Sequence, residues 1–403
     1  MRISAMTDLE RFRGDLADFL DRALPAAVGA LPPATAEYWG GRTPELPHPS
    51  CARYCAAMAE RGLTAPTWPT AYGGGGLDKD QARVLTAELR RRQLPLPLVG
   101  FGLSMIGPTL LQFGTEDQKR EHLPKIVRGE IRWAQGYSEP NAGSDLASLQ
   151  ASARFAGDEL ILNGQKIWTS YADKADWMFG IFRTDGSGKK QEGITFLLLD
   201  LAQPGVEVRP IKLISGASPF CETFFTDARA KARDIIHGVG QGWTVAKALL
   251  GHERTMIGDL FGAGARSPGA ASPIVELARE YVGERDGRLA DPILRDRLAQ
   301  LLLDERGFAL TTQRAADSIK AGHKPGPESS IFKIAGTELN QRRQELMLAL
   351  RGPQALGWEG EGFDPRELQQ TRDWLRSRGN TIEGGTSEVQ LNIIAKHVLG
   401  LPD

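Results

Sequence analysis

The sequence predicts a multidomain protein in which helical domains flank a β domain. Three observations carry that prediction. Apolar residues recur at helical spacing from residue 8 to about 128. Short runs rich in β-formers, separated by turn residues, fill 131 to about 236. Helical spacing then resumes after "GQGW" at 240–243 and continues to the end. The expected divisions are an N-terminal helical domain over 1–130, a middle β domain over 131–236 and a C-terminal helical bundle over 237–403.

The first helix is read in "DLERFRGDLADFLDRAL", where Leu9, Phe12, Leu16, Phe19 and Leu20 form one stripe. A Pro- and Gly-rich stretch over 25–50 reads as loop. "LDKDQARVLTAELRRR" and "EDQKREHLPKIVRG" restore the helical period, and "YGGGG" at 72–76 reads as a turn between helices. In the β region, "DELILNGQKIWTS" offers an Asn-Gly pair that predicts a hairpin turn between two strands. "DWMFGIFRT", "GITFLLLDL" and "GVEVRPIKL" follow as short strands, at a spacing that suits a small barrel or sandwich. Three long helices are expected last, in "WTVAKALLGHERTMIGDLFGAGA", "DPILRDRLAQLLLDERGFALTTQRAADSIKA" and "ESSIFKIAGTELNQRRQELMLALRG".

Bulk properties narrow the function. The chain has 403 residues, 41% of them hydrophobic and 25% charged, with a formal net charge of −1. No Lys/Arg block points to nucleic acid or an anionic membrane surface. The longest apolar runs, such as "ITFLLLDL", are too short to span a bilayer, and the N-terminus turns charged before a signal-peptide core could form, so a cytoplasmic protein is expected. Cys51, Cys55 and Cys221 lack further ligands at metal-binding spacing and read as buried small side chains. Neither GxGxxG nor GxxxxGK[ST] occurs, so a Rossmann or P-loop nucleotide site would have to be atypical.

Two stretches carry chemistry. "WAQGYSEPNAGSDLASL" at 133–149 gathers Ser138, Ser144, Asp145 and small residues around a proline, exposing backbone N–H groups that suit a phosphate or a flavin edge, or simply a polar domain-boundary loop. "NGQKIWTSYADKADW" at 163–177 sets Trp168 beside two hydroxyls, as core or as a stacking platform.

Six motifs in order resemble the acyl-CoA dehydrogenase family of flavoproteins: "WPTAYGGGGL", "YSEPNAGSD", "NGQKIWTS", "FFTDARAKARDIIHGVGQGW", "GHERTMIG" and "IEGGTSEVQLNIIAKHVLGLP". The resemblance covers nearly the whole chain. It implies an N-terminal helical domain, a central β domain and a C-terminal four-helix domain, with FAD between the last two and an acyl-CoA thioester against the flavin. By motif position it implies that Gln135, Ser138, Gly143 and Ser144 contact FAD, with Ser144 also near CoA, that Trp168 stacks on the isoalloxazine, and that Ser170 approaches N5. Thr386 and Glu388 would border the FAD phosphates, and His252, Arg254 and Gly385 the substrate. A homo-oligomer, dimer or tetramer, is implied, or a heteromeric assembly, with an electron-transferring flavoprotein as acceptor. On the adenine side the family's Arg-x-x-Phe-Gly and Gln-x-x-Gly-Gly are absent, and Arg279, Arg351 and Gly352 stand nearest to those roles.

The implied reaction removes a proton from the α-carbon and a hydride from the β-carbon, giving the trans-2-enoyl-CoA. It needs a carboxylate base and hydrogen bonds to the thioester oxygen. Many family members carry the base immediately before the "GT" of the C-terminal motif. Here that position is Gly384, whose backbone N–H would hold the thioester oxygen, while Glu383 stands one residue early. A second family position lies on the long helix before an arginine, where this chain has Glu253-Arg254. Val245, Leu249, Glu253, Met256 and Leu260 share one helical face, and a carboxylate in an apolar stripe is costly unless paired or used. Glu253 is therefore the favoured base and Glu383 the alternative. Gly384 would leave space beside the reacting carbons, and Ser104 and Gly107, on a helix that borders the acyl pocket in the family, would add room for a branched, cyclic or steroid-like acyl group, the alternative being that bulky neighbours such as Met105 refill the space and leave a straight-chain pocket. Rival readings are a flavin monooxygenase or oxidase on the same fold, and a non-catalytic subunit of a heteromeric acyl-CoA dehydrogenase.

Overall fold

A computed structural model describes residues 7–250, 272–323, 326–327 and 329–402. They divide into two compact units, one of residues up to Pro210 together with Pro219–Leu249, the other of Ile211–Ser218 with the chain from Leu250 onward.

The first unit begins with helices whose ends the sequence specifies. Thr7 caps Asp8–Asp18, Asp78 caps Lys79–Arg91 and Thr115 caps Glu116–Val127. Each cap accepts a hydrogen bond from the third helical N–H, and a Glu or Gln at that position reaches back to the cap N–H. Leu16, Phe19 and Leu20 are buried, with Leu9 and Phe12 packed against them, in a core that includes Tyr54, Met58, Leu85 and Leu89. The expected stripe therefore faces inward. The stretch read as loop starts one turn late, because Leu24–Val28 is helical with Pro25 in its first turn, where proline is tolerated.

Eight strands follow: β1 (Trp133–Gly136), β2 (Ser152–Ala156), β3 (Glu159–Ser170), β4 (Trp177–Arg183), β5 (Ile194–Asp200), β6 (Val206–Ile211), β7 (Phe220–Lys231) and β8 (Ile235–Ile236). They form one mixed sheet in the order β6-β7-β3-β2-β4-β5-β8, with β1 pairing parallel to β4. In β5 the first six residues are all buried, as expected for a strand covered on both faces.

The Asn-Gly hairpin is corrected. Asn163 and Gly164 lie inside β3, which runs unbroken past them with a shift in register against β7. The Asn163 side chain pairs with Asp227, donating to its carboxylate at 3.0 Å and accepting its backbone N–H at 3.0 Å. Gly164 has φ +135°, and a Cβ there would meet the Ala151 Cα at 2.7 Å, so the glycine serves close approach within the sheet. Gly107 is also corrected: a Cβ there would meet the Trp68 ring at 1.9 Å. The space left by its missing side chain is filled by Trp68, and Met105 beside it is buried.

The second unit contains helices Pro273–Val282, Pro292–Lys320, Ser329–Arg351, Pro365–Ser377 and Ser387–Ile393. Its core is built from Ile274, Leu277, Leu298, Leu301, Leu339, Leu346 and Leu350. Asp364 caps the fourth of these helices through a reciprocal bond with Glu367, and Pro365 occupies its first position.

Candidate active site

In the first unit the site is created by a change of parity in β3. Leu160, Leu162 and Lys166 are buried while the odd positions between them are only partly covered. Then the ladder slips: Lys166 pairs with Thr223 and Thr169 with Cys221, so β3 spends one residue more than β7. That is a bulge, and an inserted residue exchanges inward and outward faces. Thr169 now points in, donating to the Cys221 carbonyl and sharing a bond with the Thr223 hydroxyl, both at 2.9 Å. Trp168 points out. Its φ is +60°, it is 52% exposed, and its ring meets Phe220 edge-on with centroids 6.0 Å apart. Ser170, two residues on, shares its face and is half-buried.

The loop after β1 runs beside this bulge. The Ile167 N–H donates to the Ser138 carbonyl at 2.8 Å. Gln135 and Ser138 are half-buried, and Glu139 and Ala142 exchange backbone bonds to close a tight turn. Gly143 and Ser144 are exposed, and a Cβ on Gly143 would meet nothing within 4 Å. Asp145 accepts from Lys190 at 2.8 Å and from Ser148 at 2.5 Å, and these bonds hold its carboxyl below the usual range. Next to it, Ala147, Ser148, Gln150, Arg183, Gly186 and Lys190 line an open groove with two cationic side chains.

In the second unit the stretch 383–388 is shaped by two glycines, Gly384 at φ +65° and Gly385 at φ +92°. A Cβ on Gly385 would strike the Gln390 amide at 2.5 Å, and that amide donates to the Gly384 carbonyl at 3.4 Å. Thr386 caps Ser387–Ile393, accepting from the Val389 N–H at 3.3 Å. Glu388 is exposed in the first turn of that helix, and its carboxyl lies below the usual range through hydrogen bonds from a backbone N–H and from Thr386.

Glu383 is occupied. Its Oε2 accepts from Arg376 at 2.6 Å, and its Oε1 accepts from Asn380 at 2.6 Å and Arg376 at 3.4 Å. Asn380 in turn accepts from Asn340 at 2.8 Å. Arg279 pairs with Glu284 at 2.8 Å and Glu276 at 3.3 Å. Arg351 is buried and donates to the Arg366 carbonyl at 3.0 Å, and Gly352 has φ +57°. His252, Glu253 and Arg254 lie outside the described residues. Val245 and Leu249, from the same expected stripe, are fully buried.

These features coincide with a match along the chain. Residues 10–130 match the acyl-CoA dehydrogenase N-terminal domain, 134–228 the middle domain and 240–399 the C-terminal domain. The chain belongs to the acyl-CoA dehydrogenase family. It is similar to acyl-CoA dehydrogenase IpdE1 of Mycolicibacterium smegmatis, with 38% identity over 358 residues covering 86% of each chain. The protein of the same name from Mycobacterium tuberculosis is 36% identical over 403 residues, covering 98% of this chain and 99% of that one. Among solved structures it resembles the Tcur3481-Tcur3483 steroid ACAD, with a TM-score of 0.73 and 27% identity over the whole of both chains.

Three charged residues have no role from the motifs, although Glu139 and Lys166 lie inside two of them. Lys166 is fully buried and Glu139 nearly so, with 2.7 Å between the ammonium and the carboxylate. Burial pushes the Lys166 ammonium down to about 8, opposed by Glu139. In the second unit Lys333 is buried, its Nζ has no hydrogen-bond partner among the described residues, and burial lowers its pKa against the pull of Glu383 and Glu388. A legible signal existed for Lys166. It stands on the inward parity of β3 after Leu160 and Leu162, where a charged residue needs a partner.

Proposed function

We propose that this enzyme is an FAD-dependent dehydrogenase that oxidises the α,β-bond of an acyl-CoA thioester to the trans-2-enoyl-CoA. The bulge at Trp168 carries the reading. A large aromatic held in a left-handed conformation, half exposed and next to two half-buried hydroxyls, is costly as packing and useful as a platform. The residues fit FAD on three counts. Trp168 offers a flat apolar face, Ser138 and Ser170 offer polar atoms beside it, and Gly143 offers exposed backbone where a Cβ would meet no neighbour.

FAD held there would accept the β-hydrogen as hydride. The rest is work for the chain. The Gly384 N–H, set by two residues with positive φ, would donate to the thioester oxygen and stabilise the charge that develops as the α-proton leaves. Glu253 would take that proton. Glu383 would instead hold the 383–388 stretch in place, a role supported by its bonds to Arg376 and Asn380, which occupy both carboxylate oxygens. In the groove beside Ser148, Arg183 donates to the Ala147, Lys190 and Glu192 carbonyls, and Lys190 would meet a CoA phosphate by exchanging its Asp145 partner for it. Electrons would pass on to an electron-transferring flavoprotein.

The acyl group is proposed to be branched or ring-bearing. Gly384 leaves no side chain where many relatives carry a glutamate, and its left-handed φ disfavours one. A similar solved structure bears the name steroid ACAD. The test is to purify the protein, record its visible spectrum, and add acyl-CoA thioesters anaerobically. The expected result is a yellow protein whose flavin band bleaches, fastest with ring-bearing thioesters. A colourless protein that takes up no added FAD would refute the proposal.

A further inference from the structure

We propose that Glu139 and Lys166 are positioning residues: their buried ion pair fixes the register that turns Trp168 outward, and ties it to the loop carrying Ser138 and Ser144. The inference rests on the FAD reading above.

The geometry is a three-way junction. Glu139 opens the loop, and its Oε2 accepts the Gln150 N–H at 2.6 Å. Its Oε1 accepts the Ala151 N–H at 2.9 Å and the Lys166 ammonium at 2.7 Å. One carboxylate thus closes both ends of the 139–150 loop and grips β3. Lys166 adds a bond to the Tyr137 carbonyl at 3.2 Å and lies 5.1 Å from the centre of the Phe182 ring. The next residue, Ile167, donates to the Ser138 carbonyl at 2.8 Å, and the bulge follows at once.

Lys166 is therefore the last ladder residue before the parity change. A slip of one residue in β3 would send Trp168 toward the core and carry Lys166 away from Glu139. Apolar side chains at these two positions would pack in either register. A buried ion pair adds little net stability over apolar residues of the same volume, but breaking it leaves a bare charge inside the protein. That asymmetry penalises the slipped register. It also explains charges under a site that neither of them is placed to touch. The lowered pKa of Lys166 is consistent with full burial, and its partner keeps it protonated below about 8.

The test compares wild type with Glu139→Gln, Lys166→Met and the double variant, with Leu197→Ala as a control in the same core. The double variant carries neither charge and is nearly isosteric, so it leaves no bare charge inside the protein, although the single amide oxygen of the glutamine accepts only one of the Gln150 and Ala151 N–H groups. Apoprotein of each is titrated with FAD well below its melting temperature, following flavin fluorescence and the shape of the visible band. The expected result is a Kd raised about tenfold or more in the double variant, the scale known for outer-shell partners that orient metal ligands, with a shifted flavin band. Leu197→Ala should melt earlier yet bind FAD as wild type does. A folded double variant with wild-type Kd and band shape would overturn the positioning role. So would failure of all the pair variants to fold, which would make the pair structural. If wild type itself takes up no FAD, the cofactor reading fails and this inference falls with it, a result distinct from the other two.

Discussion

Truncating Trp168 to alanine separates its packing role from its binding role. The side chain is 52% exposed, so about half of an indole's burial is lost, roughly 100 Å². At about 25 cal/mol per Å² this is ~2.5 kcal/mol, an upper estimate because the unfolded chain already buries some of that surface. Loss of the edge contact with Phe220 adds about 0.5–1.5 kcal/mol. Opposing this, a side chain at φ +60° costs ~1–2 kcal/mol, which alanine keeps and glycine releases. Apoprotein stability should therefore fall for Trp168→Ala and fall less for Trp168→Gly, an inversion of the usual order. Stacking on an aromatic ring is worth about 1–3 kcal/mol for a nucleobase. Carried over to a flavin, both variants should raise the FAD Kd roughly 5- to 150-fold, and Trp168→Phe should recover part of the loss. Thermal melts of apoprotein and fluorescence titration with FAD read the two effects separately. Unchanged Kd in Trp168→Ala would remove Trp168 from the cofactor site, and greater stability of alanine over glycine would contradict the left-handed bulge.

Gly384→Glu should narrow the substrate range toward slim acyl chains and lose about 1 kcal/mol of stability to the positive φ; kcat/KM across butanoyl-, octanoyl-, isobutanoyl- and ring-bearing thioesters checks the first part, and an unchanged profile would remove this position from the pocket wall. His122 is fully buried against Trp133 and Trp177, neither ring nitrogen has a hydrogen-bond partner among the described residues, and burial lowers its pKa to about 4. Nearby Lys125 and Arg233 lower it further and Glu121 opposes them. Because the folded value lies below that of the unfolded chain, the unfolded state binds the extra proton between pH 6.5 and 4, so stability contributed by neutral His122 is present above about 6.5 and lost as pH falls toward 4. His122→Phe should lessen that acid sensitivity by up to about 3 kcal/mol, measured as the difference in denaturant midpoints of wild type and variant from pH 7 to 4; parallel profiles would contradict it.

Much of the fold was legible because local chemistry and burial agree. Thr7, Asp78 and Thr115, each with a paired Glu or Gln, begin three helices that the spacing also predicts, and Leu16, Phe19 and Leu20 mark the buried face of the first; the helix capped by Asp364 carries the same local signal but is not among the helices read from spacing. The Asn163-Gly164 pair misled because turn propensity is a local signal, while the close approach of Ala151 and the side-chain bonds to Asp227 are long-range facts. Gly107 misled for the same reason: the sequence shows a missing side chain, not the Trp68 ring that fills the space. In the candidate site, Trp168 was legible beside Thr169 and Ser170, and Ser138 in a separate polar stretch. The bulge that puts Trp168 and Ser170 on one face was not, since an extra residue in one strand shows only against its partner. Glu139 and Lys166 are far apart in sequence and meet only through the sheet. Glu383 was ambiguous as a lone carboxylate, and its bonds to Arg376 and Asn380 support the structural role.

The identity of the base is tested most directly by anaerobic stopped-flow reduction of the flavin by acyl-CoA in Glu253→Gln and Glu383→Gln. Both variants should bind FAD. Glu253→Gln should reduce about 10²–10⁴-fold more slowly than wild type, the loss expected when a general base is removed. Glu383→Gln, which keeps an oxygen for Asn380 or Arg376, should stay within about tenfold of wild type. The reverse pattern, with Glu253→Gln near wild type and Glu383→Gln nearly inert, would contradict the account and make the C-terminal glutamate the base.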